Sequence, residues 1–306
     1  MEERSHATYT TLRTLGTIAN SLVFRIEDEP SRFYQEVERR TDTNESIFLR
    51  SGLPSASICR RKLIEPFSSY SIAIEAYLET VGQRNVLVDI SSMPKRLFFF
   101  IIKRLLSSTF DNIIVTYAEP EKYSEEPLAE NPQRWAALPG FAGPRRVPSD
   151  RNLIIALGYE PLGLPDLVLS GEFASAQVAL LFPFPSSPER VAKNWKFARN
   201  LFPNIDISAV NIKRVDGINV PEVFDAIGSL TDFGDRFAML APFGPKPISL
   251  AMALYASKQH PSGEHCNVSY TQPTVYNPDY SSGIKMQAGT PLINAYAVRI
   301  GGANLY

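Results

Sequence analysis

Two short turns, each with a Pro-Lys pair, carry residues suited to binding an anion. The polar or flexible residues of these two turns are Asp89, Ser91, Ser92, Lys95, Gly244 and Lys246. Each turn follows an apolar strand-like stretch and precedes an apolar helix-like stretch. A helix start offers backbone N–H groups and a positive dipole end, to which a lysine adds an ammonium group. The two turns therefore predict a site for phosphate or another anion.

Four tyrosines follow these turns at matching intervals. Each helix-like stretch leads through a second strand into Tyr-x-x-Pro-x-x-Tyr, first at Tyr117 and Tyr123 and then at Tyr270 and Tyr276. The interval from turn lysine to first tyrosine is 22 residues in one case and 24 in the other. Aromatic rings stack on bases and their hydroxyls bond phosphates, so the expected ligand is a nucleotide or similar anionic small molecule. In the alternative interpretation, the tyrosines pack over the sheet end.

Asp89 is a carboxylate within an apolar strand, which needs either local N–H partners or a functional role. In an enzyme acting on a nucleoside or phosphorylated small molecule, it would be the acid or base, and Lys95 or Lys246 would stabilise charge. At the equivalent place in the second repeat stand Pro242 and Phe243. The two halves have therefore diverged, and the catalytic residues of such an enzyme stay unknown.

Composition and motifs exclude several classes of site. Neither turn has the Gly-x-x-x-x-Gly-Lys-Ser/Thr or Gly-x-Gly-x-x-Gly sequence of common nucleotide fingerprints. Two cysteines and three histidines argue against a zinc cluster and a disulfide framework, and no cofactor is expected. The 31 basic and 32 acidic residues nearly cancel, which argues against an extended nucleic-acid surface.

The elements that must position these residues alternate between strand and helix. Strands are predicted at 85–90, 113–117, 152–158, 176–184, 207–213, 237–241 and 266–270, and helices at 64–78, 97–106, 189–202, 220–230 and 248–257. Strand-helix-strand crossovers of this length imply parallel pairing. The sequence therefore predicts an α/β fold with a Rossmann-like, mainly parallel sheet flanked by helices. We expect two quasi-repeated halves, at 1–150 and 151–306, whose strands share one sheet.

Less regular parts of the chain carry further expectations. Residues 1–10 are typical of a frayed start, 29–41 of a short helix, 46–50 of a strand and 293–300 of a last, edge strand. A proline-rich excursion at 118–149 interrupts the first half and is typical of a lid, a binding loop or a connector. Its end carries Arg145, Arg146 and Arg151, which either meet an anion or form a solvated charge run.

The second turn carries a family resemblance. Its sequence from Phe243 to Pro247, with the small-residue helix that follows, resembles the Gly-Gly-Thr-Lys segment and Ala-rich helix of CRISPR-associated Rossmann-fold sensors of cyclic oligonucleotides. Gly244 and Lys246 match that motif, whereas Phe243 and Pro245 replace its first glycine and its threonine. The resemblance is close over 237–257 and elsewhere extends only to element order. It implies a regulatory nucleotide-binding protein of the kind that serves prokaryotic antiviral defence.

The sequence also carries expectations about location and partners. Its start lacks the plan of a secretion signal, and its longest strongly apolar run, at 97–102, is far short of the roughly 20 residues that span a bilayer. We therefore expect a cytoplasmic protein with no membrane contact. A sensor without a fused effector segment requires a protein partner or a homo-oligomer. A non-catalytic interaction scaffold is the second alternative.

Overall fold

The computed structural model describes nine stretches of the chain, which together hold both turns and all four tyrosines. These stretches are 1–16, 18–27, 29–82, 84–124, 126–143, 151–158, 177–201, 210–258 and 265–306. The chain forms two compact units. The first comprises Met1–Leu97, Thr109–Asn131 and Pro273–Leu305, and the second comprises Phe98–Ser108, Pro132–Gln272 and Tyr306. The division into halves at residue 150 stays a prediction.

The described residues alternate between helices and strands, so the chain is an α/β protein. The helices are α1 (Ala7–Leu15), α2 (Tyr34–Arg50), α3 (Phe67–Thr80), α4 (Lys95–Leu106), α5 (Pro188–Leu201), α6 (Val220–Leu230) and α7 (Lys246–Ser257). The strands are β1 (Val23–Glu27), β2 (Ile58–Lys62), β3 (Asn85–Asp89), β4 (Asn112–Ala118), β5 (Lys122–Tyr123), β6 (Ala129–Pro132), β7 (Ala136–Ala137), β8 (Arg151–Ala156), β9 (Val178–Phe184), β10 (Asn211–Asp216), β11 (Phe237–Pro242), β12 (Cys266–Tyr270), β13 (Pro273–Tyr276), β14 (Ser281–Ser282), β15 (Met286–Gln287), β16 (Thr290–Pro291), β17 (Ile293–Ile300) and β18 (Ala303–Asn304).

The first unit is built on a four-stranded sheet with the order β18-β17-β4-β3. Strands β3 and β4 are parallel, in register from Asn85 opposite Asn112 to Asp89 opposite Thr116. Helix α4 connects them and begins directly after Pro94, whose missing N–H suits a first helical turn. The predicted strand-helix-strand unit around the first turn is therefore present.

Strand β17 runs antiparallel to β4, which corrects two expectations. It lies inside the sheet, because a tight hairpin through Gly301 and Gly302, at φ of 57° and 82°, returns β18 along its outer side. The prediction of an edge strand is therefore wrong. Since β17 occupies the second edge of β4, the strands that end at Asp89 and near Ala241 belong to different sheets, and the expected single sheet is wrong too.

The second unit is built on a six-stranded sheet with the order β10-β9-β8-β11-β12-β7. Its first five strands are parallel, and only the short β7 runs antiparallel, beside β12. The chain passes from β8 outward to β9 and β10, then returns to the other side of β8 for β11 and β12. The direction of winding therefore reverses between β8 and β11.

The core of the second unit explains why its strands read as continuous apolar runs. Parallel strands are covered on both faces, and in β8 the neighbours Leu153, Ile154 and Ile155 are all completely buried. Helix α7 is buried from Pro247 to Tyr255. Helix α6 begins where Asn219 accepts a hydrogen bond from the Glu222 N–H at 3.2 Å.

Two local predictions in the first unit are wrong. Residues 46–50 continue α2, because Val37, Asn44 and Phe48 keep a helical spacing on its buried side. A five-residue window was too short to show that period. The start of the chain is ordered: a 3-10 helix at Glu3–His6 leads into α1, and Arg4 is only 1% exposed. A long-range interaction, described below, holds it there.

The proline-rich excursion contributes short strands to both units. Strand β5 pairs with β14, β6 with β13, and β7 with β12, so each of these short strands has a partner from the carboxyl-terminal part of the chain. Residues 144–150 at its end lie outside the described residues, and with them Arg145 and Arg146. Only the backbone of Arg151, at the start of β8, is described.

Replacement of Gly158 tests the close packing at the reversal point. A Cβ at Gly158 would lie 2.7 Å from Pro245 Cδ and 3.3 Å from Gly244 Cα. Gly158→Ala should therefore lower the free energy of unfolding by about 1 to 3 kcal/mol, measured by urea denaturation. Because Gly158 also has a positive φ of 155°, the matched control is Gly140→Ala in the same unit, where φ is 81° and the nearest atom, Lys103 Cδ, is at an ordinary 3.6 Å. Equal stability of the two variants would contradict the packing described here.

Candidate functional site

The first turn is closed by a bridge between the ends of β3 and β4. Asp89 Oδ1 accepts hydrogen bonds from the Ser91 backbone N–H, at 2.7 Å, and from the Ser91 hydroxyl. The Ser91 oxygen in turn accepts from the Ala118 N–H at 2.7 Å. Ser91 is completely buried. Asp89 therefore has the local N–H partner that one interpretation of this carboxylate required.

Ser92 and Lys95 occupy the outer side of the same turn. Ser92 is exposed and Lys95 is half-buried as the first residue of α4. The Leu97 N–H donates to the Pro94 carbonyl at 3.0 Å, which closes the first helical turn. Because the positive end of the α4 dipole lies here, an anion would meet Lys95 and the Ser92 hydroxyl first.

Tyr117, which is buried, and Tyr123, which is half-buried, form a pair beneath a guanidinium group. Their hydroxyl oxygens lie 2.6 Å apart, and Tyr117 is only 3% exposed. The guanidinium carbon of Arg4 lies 5.2 Å from the Tyr117 ring centre and 5.6 Å from that of Tyr123. Its Nη1 also donates to the Ala118 carbonyl at 3.1 Å. The predicted pair is thus brought together, in contact with a cation.

Glu2 balances the charge of Arg4. Its Oε2 accepts from Arg4 Nε at 2.9 Å and Nη2 at 2.7 Å, and from the Ser281 hydroxyl at 2.6 Å. The two side chains are only 1% and 8% exposed. A buried ion pair is tolerated when hydrogen bonds satisfy both partners, and here each charged group has several.

Burial and charge shift the pKa values of this cluster in defined directions. Burial alone lowers the pKa of Arg4, but the Glu2 carboxylate and the two tyrosines outweigh it and leave that pKa well above its ordinary value. Burial, followed by the influence of Tyr123, raises the pKa of Tyr117 well above its ordinary value, against the opposing effect of Arg4. Arg4 is therefore charged and Tyr117 neutral at every physiological pH.

Tyr276 belongs to the same aromatic group, whereas Tyr270 does not. Tyr280 bridges the rings, with its centre 6.1 Å from that of Tyr123 and 6.2 Å from that of Tyr276. Tyr270 lies in the second unit, where its ring is 5.2 Å from that of Phe243. The identical spacing of the two Tyr-x-x-Pro-x-x-Tyr sequences indicated equivalent surroundings. Instead, the tyrosines of the first sequence are in contact, whereas those of the second belong to different units.

The second turn joins β11 to α7 at the point where strand order reverses. Lys246 is half-buried as the first residue of α7. The Ser249 N–H donates to the Pro245 carbonyl at 3.0 Å, and the Ser249 hydroxyl donates to the same oxygen at 3.2 Å. A Cβ on Gly244 would lie 3.0 Å from the Leu157 carbonyl oxygen. Glycine is thus favoured here by the close approach of the end of β8.

Aromatic rings cover one side of the second turn. Phe243 is 5% exposed, and Trp135 from the excursion lies nearly parallel to it, with ring centres 6.1 Å apart. Phe243 also packs in the cluster formed by Leu153, Ile155 and their neighbours. Where the resembled motif has a flexible glycine, this chain has a core residue.

Metal and thiol chemistry find no support among the residues that the structure describes. They contain no group of three or more His, Cys, Asp or Glu side chains placed to hold a metal ion. Burial raises the pKa of the Cys266 thiol, which lowers its thiolate fraction at neutral pH. Cys59 is half-buried in β2 and is also a free thiol.

Sequence reasoning missed the residues that hold the first unit's site together. Glu2 and Arg4 lie at the start of the chain and Ser281 is 279 residues from Glu2, and none of the three lies in a periodic segment. Trp135 was missed as well, although it is one of only two tryptophans in the sequence. A tryptophan within a proline-rich excursion was the one available signal that this segment packs against a core.

Comparison with known proteins returned no relative: no family model, no curated protein and no solved structure matches the chain. Across the described residues, every helix is too short or too polar to cross a bilayer.

The Tyr117–Tyr123 pair yields a stability prediction. Tyr117→Phe removes one hydroxyl and leaves the Tyr123 hydroxyl without this partner, so the free energy of unfolding should fall by about 1 to 2 kcal/mol in urea denaturation. Tyr34→Phe is the matched control, because Tyr34 is 39% exposed. It should change stability by less than about 0.5 kcal/mol. A Tyr117→Phe variant as stable as the control would contradict the hydrogen bond between the two hydroxyls.

Thiol reactivity tests the raised pKa of Cys266, which is half-buried like Cys59. Because its pKa is raised, Cys266 should react with Ellman's reagent at pH 8 more slowly than Cys59, by roughly tenfold or more. The single variants Cys59→Ser and Cys266→Ser assign each rate, and both thiols should react equally fast in urea. A faster reaction at Cys266 in the folded protein would contradict its placement.

Proposed function

We propose that the second unit is a Rossmann-like domain that binds a nucleotide or similar anionic ligand, and that the protein acts as a regulatory sensor. The reversal of strand order between β8 and β11 carries this proposal. In open parallel sheets, ligands bind beyond the carboxyl ends of the strands where the order reverses. Gly244, Lys246 and the start of α7 lie at that point. A twelve-residue helix directs its positive end there.

An apolar pair on the same edge of the sheet favours a nucleotide over a simple anion. Phe184, at the end of β9, is 54% exposed, and Ile218, just after β10, is 41% exposed. Their segments are adjacent, since the Gly217 N–H donates to the Phe184 carbonyl at 3.4 Å. Neighbouring strands are about 4.8 Å apart, so the ends of β9 and β11 are separated by roughly 10 Å. A base on Phe184 and a phosphate at Lys246 match that separation.

The biological role in this proposal rests on the resemblance at 237–257. We infer a sensor of prokaryotic antiviral defence that passes its signal to a protein partner or through a homo-oligomer. The enzymatic alternative relied on Asp89, whose Oδ1 instead accepts two hydrogen bonds from Ser91. An acid or base so engaged is poorly placed to exchange a proton with substrate.

Substitution of Lys246 tests the proposed anion site. Lys246→Ala should weaken binding of adenosine nucleotides or a cyclic oligonucleotide by about 1 to 3 kcal/mol in calorimetry at moderate salt, because a charge-assisted hydrogen bond is lost. Lys246→Arg should restore affinity only in part, since a planar fork replaces a point charge. The matched control is Lys196→Ala, at an exposed position on α5 of the same unit. Thermal stability should be nearly unchanged in all three.

Lys95→Ala in the same assay distinguishes the two turns. A loss of affinity in Lys95→Ala but not in Lys246→Ala would place the ligand site at the first turn. Equal affinities for wild type and the Lys95→Ala, Lys246→Ala double variant would contradict both sites and favour the scaffold alternative.

The apolar pair gives a second, separate comparison. Phe184→Ala should weaken nucleotide binding by about 5- to 150-fold, because a stacked base loses about 1 to 3 kcal/mol when its aromatic partner is removed. It should leave binding of inorganic pyrophosphate unchanged. Weaker binding of both nucleotide and pyrophosphate would indicate that the substitution distorts the sheet end. Unchanged binding of both would show that the base does not stack on Phe184.

A further inference from the structure

The Glu2 carboxylate is bound in the way that proteins bind a carboxylate ligand. Three donors converge on its Oε2: Arg4 Nε, Arg4 Nη2 and the Ser281 hydroxyl, at 2.9, 2.7 and 2.6 Å. The donors are almost fully buried, with Arg4 1% and Ser281 4% exposed. Charge-assisted hydrogen bonds in such a dry site are much stronger than those at a surface.

The receptor for this carboxylate is anchored independently of Glu2. Arg4 Nη1 donates to the Ala118 carbonyl at 3.1 Å, and its guanidinium lies over the Tyr117 and Tyr123 rings. The Tyr117–Tyr123 hydroxyl pair fixes the rings in turn. Removing the Glu2 side chain would therefore leave a buried cation and a hydroxyl around the space that a carboxylate had filled.

A single residue, Ala118, links this receptor to the first turn. The Ala118 carbonyl accepts from Arg4, and the Ala118 N–H donates to Ser91, whose hydroxyl binds Asp89. Residues 1–6 are therefore bonded to the carboxyl ends of β3 and β4. The Asn44 amide, which donates to the Glu2 carbonyl at 2.9 Å, holds the same segment to α2.

We propose that Arg4 and Ser281 form a carboxylate-binding site whose resident ligand is the chain's own Glu2. Residues 1–6 then act as a latch over the carboxyl ends of β3 and β4, and the latch is closed by this one carboxylate. A small carboxylate from solution takes the same place when the Glu2 side chain is absent. This site belongs to the first unit and is independent of the nucleotide site proposed above.

Chemical rescue tests the receptor directly. Glu2→Ala should lower the melting temperature by about 5 °C or more, because it leaves a buried charge without its partner. Sodium formate should recover about half or more of that loss, by binding to the folded state, while sodium chloride at equal ionic strength should not. Glu3→Ala is the matched control. Glu3 is exposed and accepts from the Gly283 N–H, so its loss should show no formate-specific recovery.

Limited trypsin digestion reports whether the latch is closed. The Arg4–Ser5 bond should be cut slowly in the wild type and at least about tenfold faster in Glu2→Ala, since breaking a buried pair releases the segment. Formate should slow the cut again. Cleavage after Arg13, which is exposed, serves as the internal reference. In the Glu2→Ala, Arg4→Ala double variant, formate should have no effect on melting temperature.

Two outcomes would overturn the proposal. One is a destabilised Glu2→Ala variant that responds identically to formate and chloride, which would make Glu2 a structural partner only. The other outcome concerns Ser281→Ala, which removes one donor and serves as the test if Glu2→Ala does not fold. In this variant, cleavage after Arg4 should still be several-fold faster than in the wild type. Wild-type protection in that variant would show that the carboxylate does not close the latch.

Discussion

Parallel strands end at a common edge, and the backbone and side-chain polar groups of the turns at that edge must all find partners. This constraint governs both units, because each is built around parallel strand pairs followed by helices. A turn buried against a sheet end has little contact with water, so its polar groups cannot form hydrogen bonds to solvent. A buried donor or acceptor without a partner there destabilises the fold by about 1 to 3 kcal/mol. The two units satisfy this constraint by different means.

In the first unit, side chains from distant parts of the chain form hydrogen bonds with the backbone groups at the strand ends. The Ser91 oxygen accepts from the Ala118 N–H, Asp89 accepts from Ser91, and Arg4 donates to the Ala118 carbonyl. Arg4 carries a positive charge in a buried position, and the Glu2 carboxylate neutralises it. The carboxylate in turn needs hydrogen-bond donors, one of which is the Ser281 hydroxyl. Each group is stabilised by the next, so the network is stable as a whole and costly to interrupt at any member.

In the second unit, close packing replaces the polar network. Gly244 and Gly158 let the backbone of the second turn approach the end of β8, and Phe243 packs between Trp135 and Tyr270. Apolar cover on one side and a helix start with Lys246 on the other make this edge chemically asymmetric. That asymmetry suits the proposed ligand, which has an apolar ring and an anionic group, better than the charge-balanced network of the first unit does.

The sequence by itself determined the local elements of this protein. Helix α6 and strand β12 have the predicted bounds, and the strand-helix-strand units around both turns are present, because apolar periodicity and capping residues such as Asn219 act over a few residues. Tertiary structure alone decided that β17 inserts beside β4, that Tyr270 and Tyr276 belong to different units, and that Arg4 is buried. Arg4 and Ala118 are 114 residues apart, and Glu2 and Ser281 are 279 apart. No local pattern records such pairs, since they form only when the folded sheet brings a cation, a carboxylate and two strand ends into one dry place.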